Sequence, residues 1–184
     1  ALQMLTYLDI LMRYSEKLIG EKALPAGVLY FHIHNPMIKT KKLLTQEEIE
    51  EEIFKRFKMK GLVLSDPEVV KLMDTSLQSG ESKIITAGLK RDGQLTARSK
   101  VATEQDFSIL RDYVQDTFEK TGNAIAEGAV DIAPYKMKDR TPCQFCPFKS
   151  VCRFDSTLKE NNYRILPPID QKEALEKVKE ALNK

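Results

Sequence analysis

The stretch Thr141–Cys152 reads TPCQFCPFKSVC and holds all three cysteines of the 184-residue chain: Cys143, Cys146 and Cys152. Their spacing is C-x2-C-x5-C. Two thiolates two residues apart suit one metal ion or cluster, and thiolates are soft ligands that favour iron–sulfur clusters or zinc. Pro142 and Pro147 fix turns, and Phe148–Phe154 reads as a short helix presenting Cys152. Lys149 and Arg153 set positive charge beside the thiolates. Both kinds of centre usually take four ligands, so one ligand is unaccounted for. The alternative is three cysteines that bind nothing, but chance rarely confines every cysteine of a chain to such a geometry. His32 and His34 are the only histidines. H-x-H places both on one face of a strand. That pattern serves a metal, or equally a hydrogen-bonded pair packed beside Tyr30.

Outward from the cysteines, helical and extended patterns alternate, with helices dominating. Leu2–Leu18 repeats leucines at helical spacing and stops at Gly20. PAGVLYFHIHNP (Pro25–Pro36) is rich in aromatic and branched residues and predicts a strand. Leu43–Met59 predicts a helix, with Thr45 and Glu48 forming a capping box. SDPEVVKLMDTS predicts a short helix capped by Ser65 or Asp66, with Pro67 in its first turn. Two strands are expected around KRDGQ, where Asp92-Gly93 signals a hairpin. Thr103–Glu127 predicts the longest helix, capped by Thr103 and closed by Gly128. AVDIAPYK is a short extended piece, NNYRILPPID a loop, and the last helix starts at Asp170. The fold class is α+β.

Apolar residues make up 42% of the chain and charged residues 30%, the balance of a soluble globular domain. No apolar run reaches the roughly 18 residues of a membrane span, so no membrane partner is expected. The first residues do not read as a signal peptide. They read as the interior of a helix, so a fragment of something longer is expected. A net charge of +2 gives no global field for nucleic acid. The runs Lys83–Lys100 and Lys136–Arg164 are locally basic and Glu47–Glu52 acidic. Each is a solvated face, or for the basic runs a weak phosphate surface. Clustered, odd-numbered cysteines do not make a secreted disulfide framework, which favours a reducing cytoplasm.

Gln3 and Tyr7 stand four apart on one face of the first helix. Alone, Q-x-x-x-Y is also what an ordinary polar and aromatic pair looks like. Together with the cysteine spacing it carries more. LQMLTYL (Leu2–Leu8), YFHIHNPMI (Tyr30–Ile38), APYKMKDRTPCQFCPFKSVCRFD (Ala133–Asp155) and YRILP (Tyr163–Pro167) resemble the C-terminal part of RecB-type nuclease domains. More narrowly, they resemble the B subunits of AddAB-type helicase–nucleases of Gram-positive bacteria. The resemblance covers essentially the whole chain.

The resemblance implies a PD-(D/E)XK nuclease fold. Its catalytic set is two acids and a lysine around Mg2+, with a glutamine and a tyrosine from a following helix, matched here by Gln3 and Tyr7. Carboxylates suit Mg2+, a hard cation that takes oxygen ligands. The metal activates water and stabilises the charge growing on the scissile phosphate. In the family those acids and the lysine precede the Q-x-x-x-Y helix, so they are expected to lie outside this chain. Neither Asp112-Tyr113-Val114 nor Asp131 with Lys136 replaces them. The resemblance also implies a [4Fe–4S] cluster held by Cys143, Cys146, Cys152 and a fourth cysteine far upstream, which staples the two ends of the nuclease domain.

The implied organisation is a partial nuclease domain over 1–135, a cysteine-rich iron–sulfur segment over 136–168 and a C-terminal helix over 169–184. The implied function is that of the nuclease subunit of a helicase–nuclease complex, which with an AddA-type partner unwinds DNA double-strand ends using ATP and processes them for recombinational repair. No G-x-x-x-x-G-K-[ST] phosphate loop occurs in these residues. The chain by itself is expected to cleave no DNA. The rival reading is a non-enzymatic module, stabilised by zinc or an iron–sulfur centre, that binds DNA or protein.

Overall fold

Apolar residues on both faces of one short sheet organise the first part of the computed structural model, which describes residues 2–34, 36–159 and 161–183. Strands β1 (Gly27–Tyr30), β2 (Lys60–Leu64) and β5 (Val101–Ala102) form that sheet in the order β1-β2-β5. β1 runs antiparallel to β2, and β2 parallel to β5. Side chains alternate across a strand, and the two cores follow that alternation. Val28, Leu62, Leu64 and Ala102 pack with Leu8, Met12 and Phe107 on one side. Leu29, Val63 and Val101 pack with Val70, Met73, Leu77 and Ile85 on the other. The first side is covered by helices α1 (Leu2–Arg13) and α5 (Glu104–Ala126). The second is covered by α4 (Pro67–Met73) and the segment that carries β3 (Gly80–Glu81) and β4 (Gly88–Leu89). Helices and sheet are therefore mixed, and the sheet of this part is packed on both faces.

Local chemistry sets most element ends. Helix α3 (Gln46–Arg56) starts with the capping box expected of Thr45 and Glu48. Asp66 caps α4, with Pro67 in its first turn. Thr103 accepts from the Asp106 N–H at 3.1 Å, and the Asp106 carboxylate accepts from the Thr103 N–H at 3.0 Å. The opening helix departs from expectation. It is interrupted at Tyr14 and resumes as α2 (Ser15–Ile19), closed by Gly20 at φ 84°. Ser15 explains the interruption: its Oγ donates to the Met12 carbonyl at 3.0 Å and accepts from the Ala23 N–H at 3.2 Å. A serine that bonds its own backbone competes with the helix.

Two strand expectations also fall short. The run Pro25–Pro36 is a strand only through Tyr30, because its partner β2 begins at Lys60, directly opposite Tyr30. His32 and His34 lie past that ladder and are not on a strand. The arms around KRDGQ meet in a single bridge, Leu89 to Leu95. Gly93 takes φ 80° there, but the second arm leaves and joins β2 as β5.

Asp74 ends α4 inside the core at 3% exposure. Its carboxylate accepts from Ser76 Oγ at 2.6 Å, the Ser76 N–H at 3.2 Å and Ser82 Oγ at 2.7 Å. Burial pushes this carboxyl up, but the bonds from Ser76 and Ser82 outweigh it and hold it below its ordinary value. A depressed carboxyl stabilises the fold above the unfolded value of about 3.9, and that contribution is lost as pH falls through the folded value. Asp74→Ala is expected to cost about 2 kcal/mol at neutral pH. It is also expected to flatten the fall in thermal stability that the parent chain shows on titration below pH 4. Identical acid profiles for the two proteins would refute this account of Asp74.

The chain divides into two compact units, Ala1–Val114 and Gln115–Lys184, with the boundary inside α5. In the second unit, β6 (Tyr135–Lys136) pairs in parallel with β7 (Arg164–Ile165), where a loop is expected. Between them lie a 3-10 turn, Pro142–Gln144, and α6 (Lys149–Cys152). Asp170 caps α7 (Gln171–Leu182) by accepting the Glu173 N–H at 2.9 Å. Among the described residues of this second unit, no side chain is fully buried. Among all described residues, no helix is long and apolar enough to cross a membrane.

Candidate functional site

Helix α1 brings Gln3 and Tyr7 together. The Gln3 Nε2 donates to Tyr7 Oη at 2.9 Å, as residues four apart on a helix can. Gln3 also lines a mainly apolar cavity of about 420 Å³, bounded by Val28, Tyr30, Lys60, Gly61 and Leu110. The motif glutamine therefore borders a cavity beside β1 and β2.

Two residues beyond Tyr7, Asp9 anchors this helix. It is 2% exposed. Its Oδ2 accepts from Arg13 Nε at 2.8 Å and its Oδ1 from Arg111 Nε at 3.0 Å. Arg111 lies on α5, so the carboxylate fixes α1 against α5 as well as within itself. Buried carboxylates persist where charged partners meet them. The sequence reading missed this contact. The Asp9–Arg13 spacing of four was a legible signal; Arg111, 102 positions away, was not.

The three cysteines form a second candidate site, within the second unit. Thr141 accepts the Cys143 N–H at 3.4 Å and starts the 3-10 turn. The Cys152 N–H donates to the Phe148 carbonyl at 2.8 Å, and Arg153 closes α6 at φ 49°. As a result Cys143, Cys146 and Cys152 line one cavity of about 180 Å³ with Lys149, Phe154 and Tyr163. All three are free thiols. The Phe154 and Tyr163 rings lie 4.8 Å apart, and Lys136 Nζ sits 5.3 Å from the Tyr163 ring. Among the described residues, no three His, Cys, Asp or Glu side chains converge as a ready metal-ion site. A multi-iron cluster spaces its thiolates more widely than a single ion does. Three soft donors around one cavity with a neighbouring lysine fit such a group in their chemistry.

His32 and His34 belong to the first unit and the cysteines to the second. Their rings stack on each other with centroids 4.5 Å apart, and the His34 Nδ1 lies 3.1 Å from the His32 carbonyl. They are neither a strand pair nor, among the described residues, part of a metal-binding group.

A family profile described as the PD-(D/E)XK nuclease superfamily matches residues 1–153. The chain is similar to the B subunit of the ATP-dependent helicase/deoxyribonuclease of Bacillus velezensis, with 58% identity over 166 residues, which is 90% of this chain and 14% of that protein. It is 55% identical over 179 residues to the proteins of the same name from Bacillus licheniformis and Bacillus subtilis, covering 97% of this chain and 15% of each relative. The chain thus spans about 15% of the length of the curated relatives it matches.

Proposed function

The chain belongs to the PD-(D/E)XK nuclease superfamily, and from that premise we propose that it is part of the nuclease subunit of a helicase–nuclease that processes DNA double-strand ends in the cytoplasm. Its partners in that work are DNA and a helicase–nuclease subunit of the AddA type. The observation that carries this reading is the bonded pair Gln3–Tyr7 on α1, with Gln3 lining the cavity beside β1 and β2. In this reading the catalytic acids and the lysine come from the longer protein. Mg2+, when bound, would supply the activated water and charge stabilisation. Gln3 and Tyr7 would position the strand or the attacking water.

The cysteines fit the same reading. Cys143, Cys146 and Cys152 would hold three corners of a [4Fe–4S] cluster, with a fourth cysteine from outside this chain. Support comes from the second unit itself. It brings the three thiols to one cavity, and soft thiolates favour an iron–sulfur centre or zinc.

The 184-residue chain alone is expected to leave linear DNA intact in Mg2+. In the full-length protein with its partner subunit, Gln3→Ala is expected to slow Mg2+-dependent cleavage about 100-fold while ATP-driven unwinding continues. Cleavage by the purified chain that Gln3→Ala abolishes, or full cleavage by the full-length variant, would contradict the proposal.

A further inference from the structure

Beyond β1 the first unit carries a second, chemically distinct cavity. Its volume is about 450 Å³, and Tyr30, His32, His34, Arg56, Lys58 and Lys60 are among the residues that line it. The rings are organised. His32 and His34 stack at 4.5 Å with 21° between their planes, and Phe57 backs His34 at 5.5 Å and Phe31 at 5.7 Å. Tyr30 is 59% exposed although it is a large ring.

The charge is equally one-sided. Lys55 also lines the cavity and is paired with Glu52 at 2.8 Å and Glu51 at 3.8 Å. Among the described residues, no ion pair engages Arg56, Lys58 or Lys60, and no carboxylate lines the cavity. Three cations lining a cavity without a carboxylate suit an anion laid across them.

The cavity does not stand alone. Tyr30 and Lys60 are a cross-strand pair at the end of the β1–β2 ladder. They also line the cavity that holds Gln3. The two cavities therefore meet at this pair, one aromatic and cationic, the other carrying the motif glutamine.

We propose that the His32–His34–Arg56–Lys58–Lys60 cavity is a binding groove for single-stranded DNA. Bases stack on the open face of the His32–His34 ring pair and on Tyr30. Phosphates lie on Arg56, Lys58 and Lys60. The strand continues past Tyr30 and Lys60 toward Gln3, and this last direction rests on the nuclease reading above. The rings decide for a single strand: a duplex keeps its base faces stacked inside, whereas unpaired bases present them to aromatic side chains.

The test is fluorescence anisotropy of the 184-residue chain with a labelled 15-nucleotide oligothymidylate and a labelled 15-base-pair duplex, over a series of salt concentrations. The single strand is expected to bind more tightly than the duplex. The triple variant Arg56→Ala, Lys58→Ala, Lys60→Ala is expected to lower the slope of log affinity against log salt by about 2, since each phosphate contact on a single strand contributes about 0.7. His32→Ala with His34→Ala is expected to weaken binding about tenfold with the slope unchanged. His34→Phe, which keeps a ring face, is expected to retain the affinity. Lys172→Ala, on α7, serves as the control. Each variant is compared at a melting temperature equal to that of the parent chain.

Equal affinity for strand and duplex with no effect of the histidine substitutions would reduce the groove to a plain polyanion surface and overturn the proposal. Absence of oligothymidylate binding by the folded chain would also overturn it. Neither result touches the nuclease reading, which stands or falls on Gln3→Ala in the full-length protein.

Discussion

Replacing Cys146 by serine in the full-length protein is expected to abolish iron and sulfide binding and to unfold the region around the cysteines. Serine keeps the size of cysteine but replaces a soft thiolate with a hard, poorly ionised hydroxyl. Changes merely adjacent to a metal ligand already cost 10- to 100-fold in affinity, so loss of a ligand is expected to cost more than about 100-fold. The structural consequence follows from the packing. The unit Gln115–Lys184 has no fully buried side chain among those described, so the β6–β7 pairing, the Phe154–Tyr163 contact and the cysteine cavity are what hold residues 135–165 together. Where a centre supplies the missing core, its binding free energy is folding free energy. Hydrogen exchange should therefore lose protection from β6 through β7 and keep it in β1, β2 and β5, whose two apolar clusters are independent of the thiols. Unchanged iron content with unchanged protection would rule out the staple.

Gly61→Ala is expected to damage the other unit. Gly61 lies in β2 opposite Leu29, at φ 157°. A Cβ there would overlap the Val28 carbonyl oxygen. That oxygen belongs to the backbone of the neighbouring strand, so no side chain can turn aside to make room, and the two strands must separate. Overpacking a well-fitted site costs about 1–3 kcal/mol and more where backbone has to move. We expect a loss of about 3 kcal/mol, near 10 °C in melting temperature for a chain of this size. Gly20→Ala is the internal comparison: nothing lies within 4 Å of a Cβ at Gly20, so only the strain of its positive φ is added, about 1 kcal/mol. A Gly61→Ala protein as stable as Gly20→Ala would mean that β1 and β2 do not approach as described. Gly61 also borders the Gln3 cavity, so the same substitution should disturb the motif.

What could be read in the sequence was local. Thr45 with Glu48, Asp66 with Pro67, Thr103 and Asp170 each settle a helix start through bonds within three residues, and each appears as expected. Gln3 and Tyr7 were legible for the same reason, and the cysteine spacing placed three thiols on one cavity. What escaped depends on partners far along the chain. The strand of β1 stops at Tyr30 only because Lys60 stands opposite. Arg111 reaches Asp9 from another helix. Arg164–Ile165 becomes β7 because Tyr135–Lys136 lies beside it. The aromatic–cationic groove joins residues 30–34 to residues 55–60, two segments whose separate patterns announce a strand and the end of a helix.

The role of the second unit turns on whether the cysteine cavity holds an iron–sulfur centre in a nuclease subunit. The most direct measurement is anaerobic purification of the full-length protein, followed by visible absorption and iron, sulfide and zinc analysis. The prediction is a brown protein with a broad absorption band, about four irons and matching sulfide per chain, and negligible zinc. Stoichiometric zinc with no sulfide, or a metal-free protein of undiminished stability, would contradict it.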